Sequence, residues 1–308
     1  MHFVDVKNDI AFRKIFGNEN KKIILLSFLN AVMRLKGRDA IEDVEILNPY
    51  QLPIIKNLKA SIIDVKARDK RGNTYIVEMQ VAEPDGMDKR LLYYASKEYS
   101  QQIESGELYS KLNPVIFIGI FDFRFTEGDK YLSHHAVCDV ENGERTIKDM
   151  DFYFIELPKF KKDLTDLQEV TDKWIYFIKE AENLEVVPAN VDDEGLKAAY
   201  QDANKYAWTK EELIAYDYAA MREQDERGKI ELAVKRAVKL AEERGEKRGE
   251  KRGEKRGEKR GEEKTKTNTI SKLYGKGVSP EEIADLLDLS TEEVQEIIRR
   301  YLDQKTAD

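Results

Sequence analysis

Near the start of the chain, apolar residues fall three and four apart: Ile10, Phe12, Ile15 and Phe16, then Ile23, Ile24, Leu25, Phe28, Leu29 and Val32. That period predicts amphipathic helices, and Gly17-Asn18 divides the run into two. Asn48-Pro49 and Leu52-Pro53 predict an extended stretch after them. The period then shortens. Residues 61–68 alternate in part (Ser-Ile-Ile-Asp-Val-Lys-Ala-Arg), and residues 74–81 (Thr-Tyr-Ile-Val-Glu-Met-Gln-Val) are rich in β-formers. With Asp69-Lys70-Arg71-Gly72-Asn73 between them, the two read as a hairpin. Arg90, Leu91, Tyr94, Ala95, Tyr99 and Ile103 restore helical spacing over 88–105. Pro114 to Phe121 is almost wholly apolar, which predicts a central strand buried on both faces. Residues 131–140 and 152–157 read as further strands. The sum is a mixed α/β core.

The rear of the chain has a different texture. Residues 163–183, with Trp174, Ile175, Phe177 and Ile178 on one face, and residues 194–243 read as helical. The tetrapeptide Gly-Glu-Lys-Arg then occurs four times in succession from Gly245 to Arg260. Each glycine costs a helix about 1 kcal/mol relative to alanine, so the repeat reads as a solvated, marginal helix or a flexible spacer. Lys247 to Glu250 is an i,i+3 pair of weak helix support. Beyond Asn268, Ser279-Pro280-Glu281-Glu282 has the form of a capping box with proline at the first helical position, and Val278 can staple to Ile283. Ser290-Thr291-Glu292-Glu293 repeats the device, giving a helical hairpin with a helix-turn-helix as one reading. The expected organisation is a domain over 1–185, a helical extension over 186–243, a spacer over 244–264 and a hairpin over 265–308.

Charge sharpens this picture. Charged residues are 36% of the 308, and the net charge of −8 argues against bulk coating of nucleic acid while leaving room for a local basic groove. One cysteine, Cys138, excludes a disulfide framework and a cysteine-built zinc site within one chain. It reads as a small core residue. The start lacks the pattern of a signal peptide, and no apolar run is long enough to span a membrane, so a cytoplasmic protein is expected.

Candidate chemistry sits on the hairpin. Asp64 lies among apolar residues in the first strand, Glu78 in the second, and Gln80, two residues on, shares the face of Glu78. Two carboxylates and an amide can converge there as oxygen ligands suited to Mg²⁺ or Mn²⁺. An ordinary half-exposed hairpin also carries such acid pairs, so spacing alone leaves both readings open.

An ordered set of segments goes further. Asn8-Asp9-Ile10-Ala11-Phe12-Arg13-Lys14-Ile15-Phe16-Gly17, Ile63-Asp64-Val65-Lys66-Ala67, Val77-Glu78-Met79-Gln80, Arg90-Leu91-Leu92-Tyr93-Tyr94 and Gly106-Glu107-Leu108-Tyr109, leading into Pro114 to Ile118, resemble the Rpn family of recombination-promoting nucleases and putative transposases. That family lies within the PD-(D/E)XK nuclease superfamily, here in a Glu-X-Gln variant. The resemblance covers about 5–185. It implies a restriction-endonuclease-like sheet flanked by helices, and a divalent-metal-dependent DNA endonuclease linked to recombination or mobile elements. Asp64, Glu78 and Gln80 would be catalytic, with Asp64, Glu78 and the Met79 carbonyl as metal ligands. Gln80 stands where lysine is usual. An amide can orient water or a phosphate oxygen, but it neither accepts a proton as a base nor carries positive charge. Slow turnover, or a nuclease fold kept for DNA binding or assembly, is the alternative.

Other residues keep two readings. Asp9 either leans into the site as a further ligand or caps the first helix. Lys66, Arg90 and Tyr94 are candidate phosphate contacts, with exposed polarity or structural ion pairs as the plainer reading. His134 and His135 face opposite ways on a strand and make no site together. The tail hairpin opens its second helix with Glu292 and Glu293, so a protein partner or self-association fits it as well as DNA does.

Overall fold

The structure, a computed structural model, describes residues 2–51 and 61–306, and the Leu52-Pro53 stretch lies outside the described residues. The chain divides into two compact units, Met1–Arg227 and Gly228–Asp308. In the first, helices α1 (Asp9–Phe16) and α2 (Ile23–Met33) fall where the periodicity placed them. Six strands form the main sheet: β1 (Val44–Leu47), β4 (Val65–Asp69), β5 (Thr74–Gln80), β6 (Val115–Phe121), β7 (Leu132–Ala136) and β8 (Met150–Glu156). A separate two-stranded ribbon pairs β2 (Tyr50–Gln51) with β3 (Ser61–Ile62). The main order is β1-β4-β5-β6-β8-β7. The β4–β5 hairpin is antiparallel, β5–β6 and β6–β8 are parallel, and β1 and β7 run antiparallel at the edges. Helix α3 (Met87–Ser100) makes the crossover from β5 to β6. This is a mixed sheet with flanking helices, the restriction-endonuclease-like arrangement.

Alternation along the strands sorts the core into two layers. Val65, Ala67, Tyr75, Val77, Met79, Ile116, Ile118 and Ile120 join the cluster built with α1, α2, α4 (Val170–Glu180) and α5 (Glu194–Ala203). Ile76, Val115, Phe117 and Phe121 turn the other way and pack on Met87, Leu91, Tyr94 and Ala95 of α3. Both faces of β6 are therefore covered, as its apolar run requires.

Gly119 sits on the α3 face, paired with Glu78 across the sheet. A Cβ there would lie 2.4 Å from the Phe121 ring, so glycine is what lets that ring fold over the strand beside Glu78. Gly119→Ala is expected to cost about 1–3 kcal/mol by overpacking. For a unit of this size that lowers the thermal midpoint by about 2–4 °C per kcal/mol. A melting curve matching the unaltered protein would show that the ring has room to yield.

The first unit extends well past residue 185. Leu196, Ala199, Tyr200, Ala203, Trp208 and Tyr216 are buried in its main core. The Asp5 amide donates to the Tyr216 hydroxyl at 2.9 Å. The Gly-Glu-Lys-Arg repeat is helical throughout, lying within α6 (Lys210–Tyr274), and its regular glycines do not interrupt the helix. Among the described residues, no ion pair joins its acids to its bases. In the second unit, α7 (Pro280–Leu287) opens with the expected Ser279–Glu282 capping box and is followed by α8 (Thr291–Thr306). The hairpin does not stand alone. Ile270 from the end of α6 joins Ile283, Ala284, Val294 and Ile298 in one small core. Among the described residues, no helix is long and apolar enough to cross a membrane.

Candidate active site

Asp64 is displaced from its expected place. It lies in the bend between β3 and β4 rather than mid-strand, because Ile62 ends the short ribbon and the main strand begins at Val65. The bend still delivers its side chain to Glu78. The Asp64 amide donates to Glu78 Oε2 at 3.1 Å, and the Met79 amide donates to Asp64 Oδ2 at 2.9 Å. This reciprocal exchange locks the bend onto β5 and holds both carboxylates together. Asp64 is 8% and Glu78 2% exposed. An exposed hairpin pair would be solvated, so the plain reading of these acids does not describe the geometry.

Two buried acids side by side resist ionisation. Burial and the Asp64 charge push Glu78 up to about 8, against the lowering pull of the Asp64 amide, Arg90 and Arg13. Burial also raises Asp64, opposed by the Met79 amide and Arg13, with Asp9 adding repulsion. A bound divalent cation would favour the charged form of both acids.

Three polar side chains surround it. Gln80 donates from Nε2 to Glu78 Oε1 at 3.2 Å, as expected of its shared face. Arg90, from α3, approaches the same oxygen at 3.4 Å and lies 5.2 Å over the Tyr94 ring. Its Nε is buried with no hydrogen-bond partner among the described residues. Arg13 is the residue the sequence reading did not single out. From α1 it donates Nε and Nη2 to Asp64 Oδ1 at 3.1 and 2.9 Å. The available signal was Asp9 and Arg13 four apart on one helix face, next to an acid that needed a partner.

Two further candidates have other surroundings. Lys66 shares the α3 face, but its ammonium pairs with Glu98 of α3 at 2.6 Å. Glu98 is 3% exposed, and a buried carboxylate needs a bound cation, so Lys66 ties β4 to α3. Asp9 does not cap α1. Asn8 does, accepting from the Ile10 and Ala11 amides, and Asp9 is the exposed first-turn residue whose charge reaches Asp64. Elsewhere, Cys138 is exposed rather than in the core. His134 bonds Asp151 at 2.5 Å and His135 bonds Ser133 at 2.9 Å, so they share no site.

The donor set can be weighed against a divalent ion. Among the described residues, no three His, Cys, Asp or Glu side chains are gathered to hold a metal. Two carboxylates with a nearby backbone carbonyl and water suit a hard cation that keeps several waters, as Mg²⁺ does. The residues fit such an ion as a two-acid site.

No curated protein and no solved structure compared with the chain matches it. A family model described as PD-(D/E)XK nuclease family transposase matches residues 6–233, which span the whole sheet, both carboxylates and the start of α6. Nuclease- or transposase-related function follows at that level. With the match running over most of its length, the chain belongs to the PD-(D/E)XK nuclease family transposases.

Proposed function

We propose that this protein is a Mg²⁺- or Mn²⁺-dependent DNA endonuclease acting in recombination or mobile-element chemistry, with Asp64, Glu78 and Gln80 as its catalytic residues. The observation that carries this reading is the buried Asp64–Glu78 pair, locked together by backbone hydrogen bonds and pushing Glu78 up to about 8. Asp64 and Glu78 would hold the ion, with the Met79 carbonyl completing the protein's share. When bound, a divalent ion polarises the phosphodiester and lowers the pKa of the attacking water. The remaining work belongs to the chain. Gln80, anchored to Glu78, orients water or a phosphate oxygen through its amide. Arg90 and Arg13 flank the acids, where guanidinium groups can take the charge of a phosphate. Arg13 has a side chain 42% exposed, so it can leave Asp64 for a phosphate without crossing the core.

Gln80 distinguishes activity from a fold kept for binding. A lysine there would place an ammonium beside Glu78 and favour its ionised form. Gln80→Lys is therefore expected to preserve or raise the rate of plasmid cleavage, and Gln80→Ala to lower it about tenfold or more. Equal rates for all three proteins would make Gln80 a bystander. If the unaltered protein binds duplex DNA but cuts nothing in Mg²⁺ or Mn²⁺, while Gln80→Lys cuts, the fold serves binding and the missing lysine is the reason. Chelation by EDTA should abolish any cleavage seen.

A further inference from the structure

The Gly-Glu-Lys-Arg repeat is a part of the chain that the site does not use, and its helical state gives the repeat a geometry. At about 100° per residue, successive copies are turned by only about 40° and rise by about 6 Å. Each residue type therefore forms its own row along α6. Lys247, Lys251, Lys255 and Lys259 make one row, and Arg248, Arg252, Arg256 and Arg260 the next. The glycine row borders the arginines and the glutamate row borders the lysines, each at a spacing of three residues, so the order around the helix is Glu, Lys, Arg, Gly. The two basic rows thus adjoin each other, and the arginine row lies on the side of the helix away from the acids.

Every residue from Ala241 to Lys264 is exposed. Among the described residues, no ion pair neutralises these bases from within the repeat. An open groove runs between Lys255, Arg256, Lys259, Arg260 and Glu263. Like charges stacked four apart repel along each basic row, and a polyanion lying along the rows would relieve that repulsion.

We propose that the Lys and Arg rows of α6 form a backbone-tracking surface for duplex DNA. This rests on the nuclease reading above for the choice of polyanion, and adds a second binding surface outside the site. A lipid surface fits less well, because residues 245–264 contain no apolar side chain to enter a bilayer interface. The glycine row leaves the arginine flank unobstructed, so phosphates can approach close to the helix. The surface carries no sequence information, because it reads charge spacing alone. The chain's net charge of −8 does not oppose it, since counterion release depends on the contacting patch.

The test is fluorescence anisotropy of a labelled duplex with the full-length protein in EDTA, so that cleavage plays no part, over a range of salt. Replacing Lys251→Gln, Arg252→Gln, Lys255→Gln and Arg256→Gln together should weaken binding more than tenfold. It should also flatten the log Kd against log salt plot by about 0.9 for each phosphate that is no longer neutralised. A second variant exchanges charges within copies, Glu250→Lys with Lys251→Glu and Glu254→Lys with Lys255→Glu. It keeps the net charge and breaks the lysine row, and should also bind more weakly. Circular dichroism verifies that helix content is retained in both. Unchanged affinity and slope in the neutralised protein would overturn the proposal, as would wild-type binding by the exchanged one. Binding to phosphatidylserine vesicles as tight as to duplex DNA would overturn it too. Failure of the nuclease assignment would show as absence of metal-dependent cleavage by the unaltered protein, whereas failure of this proposal shows in duplex binding in EDTA.

Discussion

Asp64→Asn is expected to reduce divalent-metal-dependent plasmid cleavage by more than about a hundredfold while leaving the fold in place. Loss of a supporting partner around a metal commonly costs about 10–100-fold, and loss of a ligand should exceed that. An asparagine with its one oxygen turned to the Met79 amide keeps that bond, and the backbone amide of residue 64 still donates to Glu78, so the bend before β4 keeps its two anchors while Arg13 loses its acceptor. Arg13 is partly solvated, and losing its charged partner does not strand a buried cation. The thermal midpoint should therefore shift by only a few degrees. Cleavage at the original rate by a folded Asp64→Asn protein would remove Asp64 from the chemistry.

The second large effect is on stability. Glu78 is raised from its ordinary value to about 8, so the folded protein holds a proton that the unfolded chain releases. Stability from this group is fully present below the unfolded pKa, declines as pH rises, and is lost once pH passes about 8. In EDTA the slope between pH 6 and 8 should approach about −1.4 kcal/mol per pH unit from this one proton. The measurement is chemical denaturation at several pH values. Glu78→Gln, which mimics the protonated form, should flatten the slope over that window. Adding Mn²⁺ to the unaltered protein should oppose the loss at high pH, because a bound cation favours the carboxylate. A Glu78→Gln profile parallel to that of the unaltered protein would show that another group titrates.

How much of this is legible from residues alone depends on how local each signal is. The apolar run of β6 and the β-rich β5 are visible within a few positions, and the hairpin turn lies between its own strands. The convergence of Asp64, Glu78 and Gln80 follows from two short strands and the period of two. Asp64's setting in a bend does not follow, because Ile62 and Ile63 look like continuous strand and only pairing reveals the separate ribbon. Lys66 reads as a phosphate ligand because its partner, Glu98, is supplied by the crossover helix, far away in sequence. Arg13 looks like the solvent face of an amphipathic helix, and its role emerges only when α1 meets the bend. The elevation of Glu78 is likewise tertiary: it needs the covered sheet centre and the neighbouring Asp64 charge. Domain extent shows the same limit. Trp208 and Tyr216 lie in the charged rear by composition, yet they fill the core of the first unit.

Asp64 and Glu78 are proposed to share one divalent ion, and anomalous diffraction from crystals soaked in Mn²⁺ would locate it. A single strong anomalous peak is expected, with carboxylate oxygens of both residues at about 2.0–2.6 Å, and absent from Asp64→Asn crystals treated the same way. A protein that cleaves DNA in Mn²⁺ but places its ion elsewhere, with Asp64 and Glu78 uncoordinated, would contradict it.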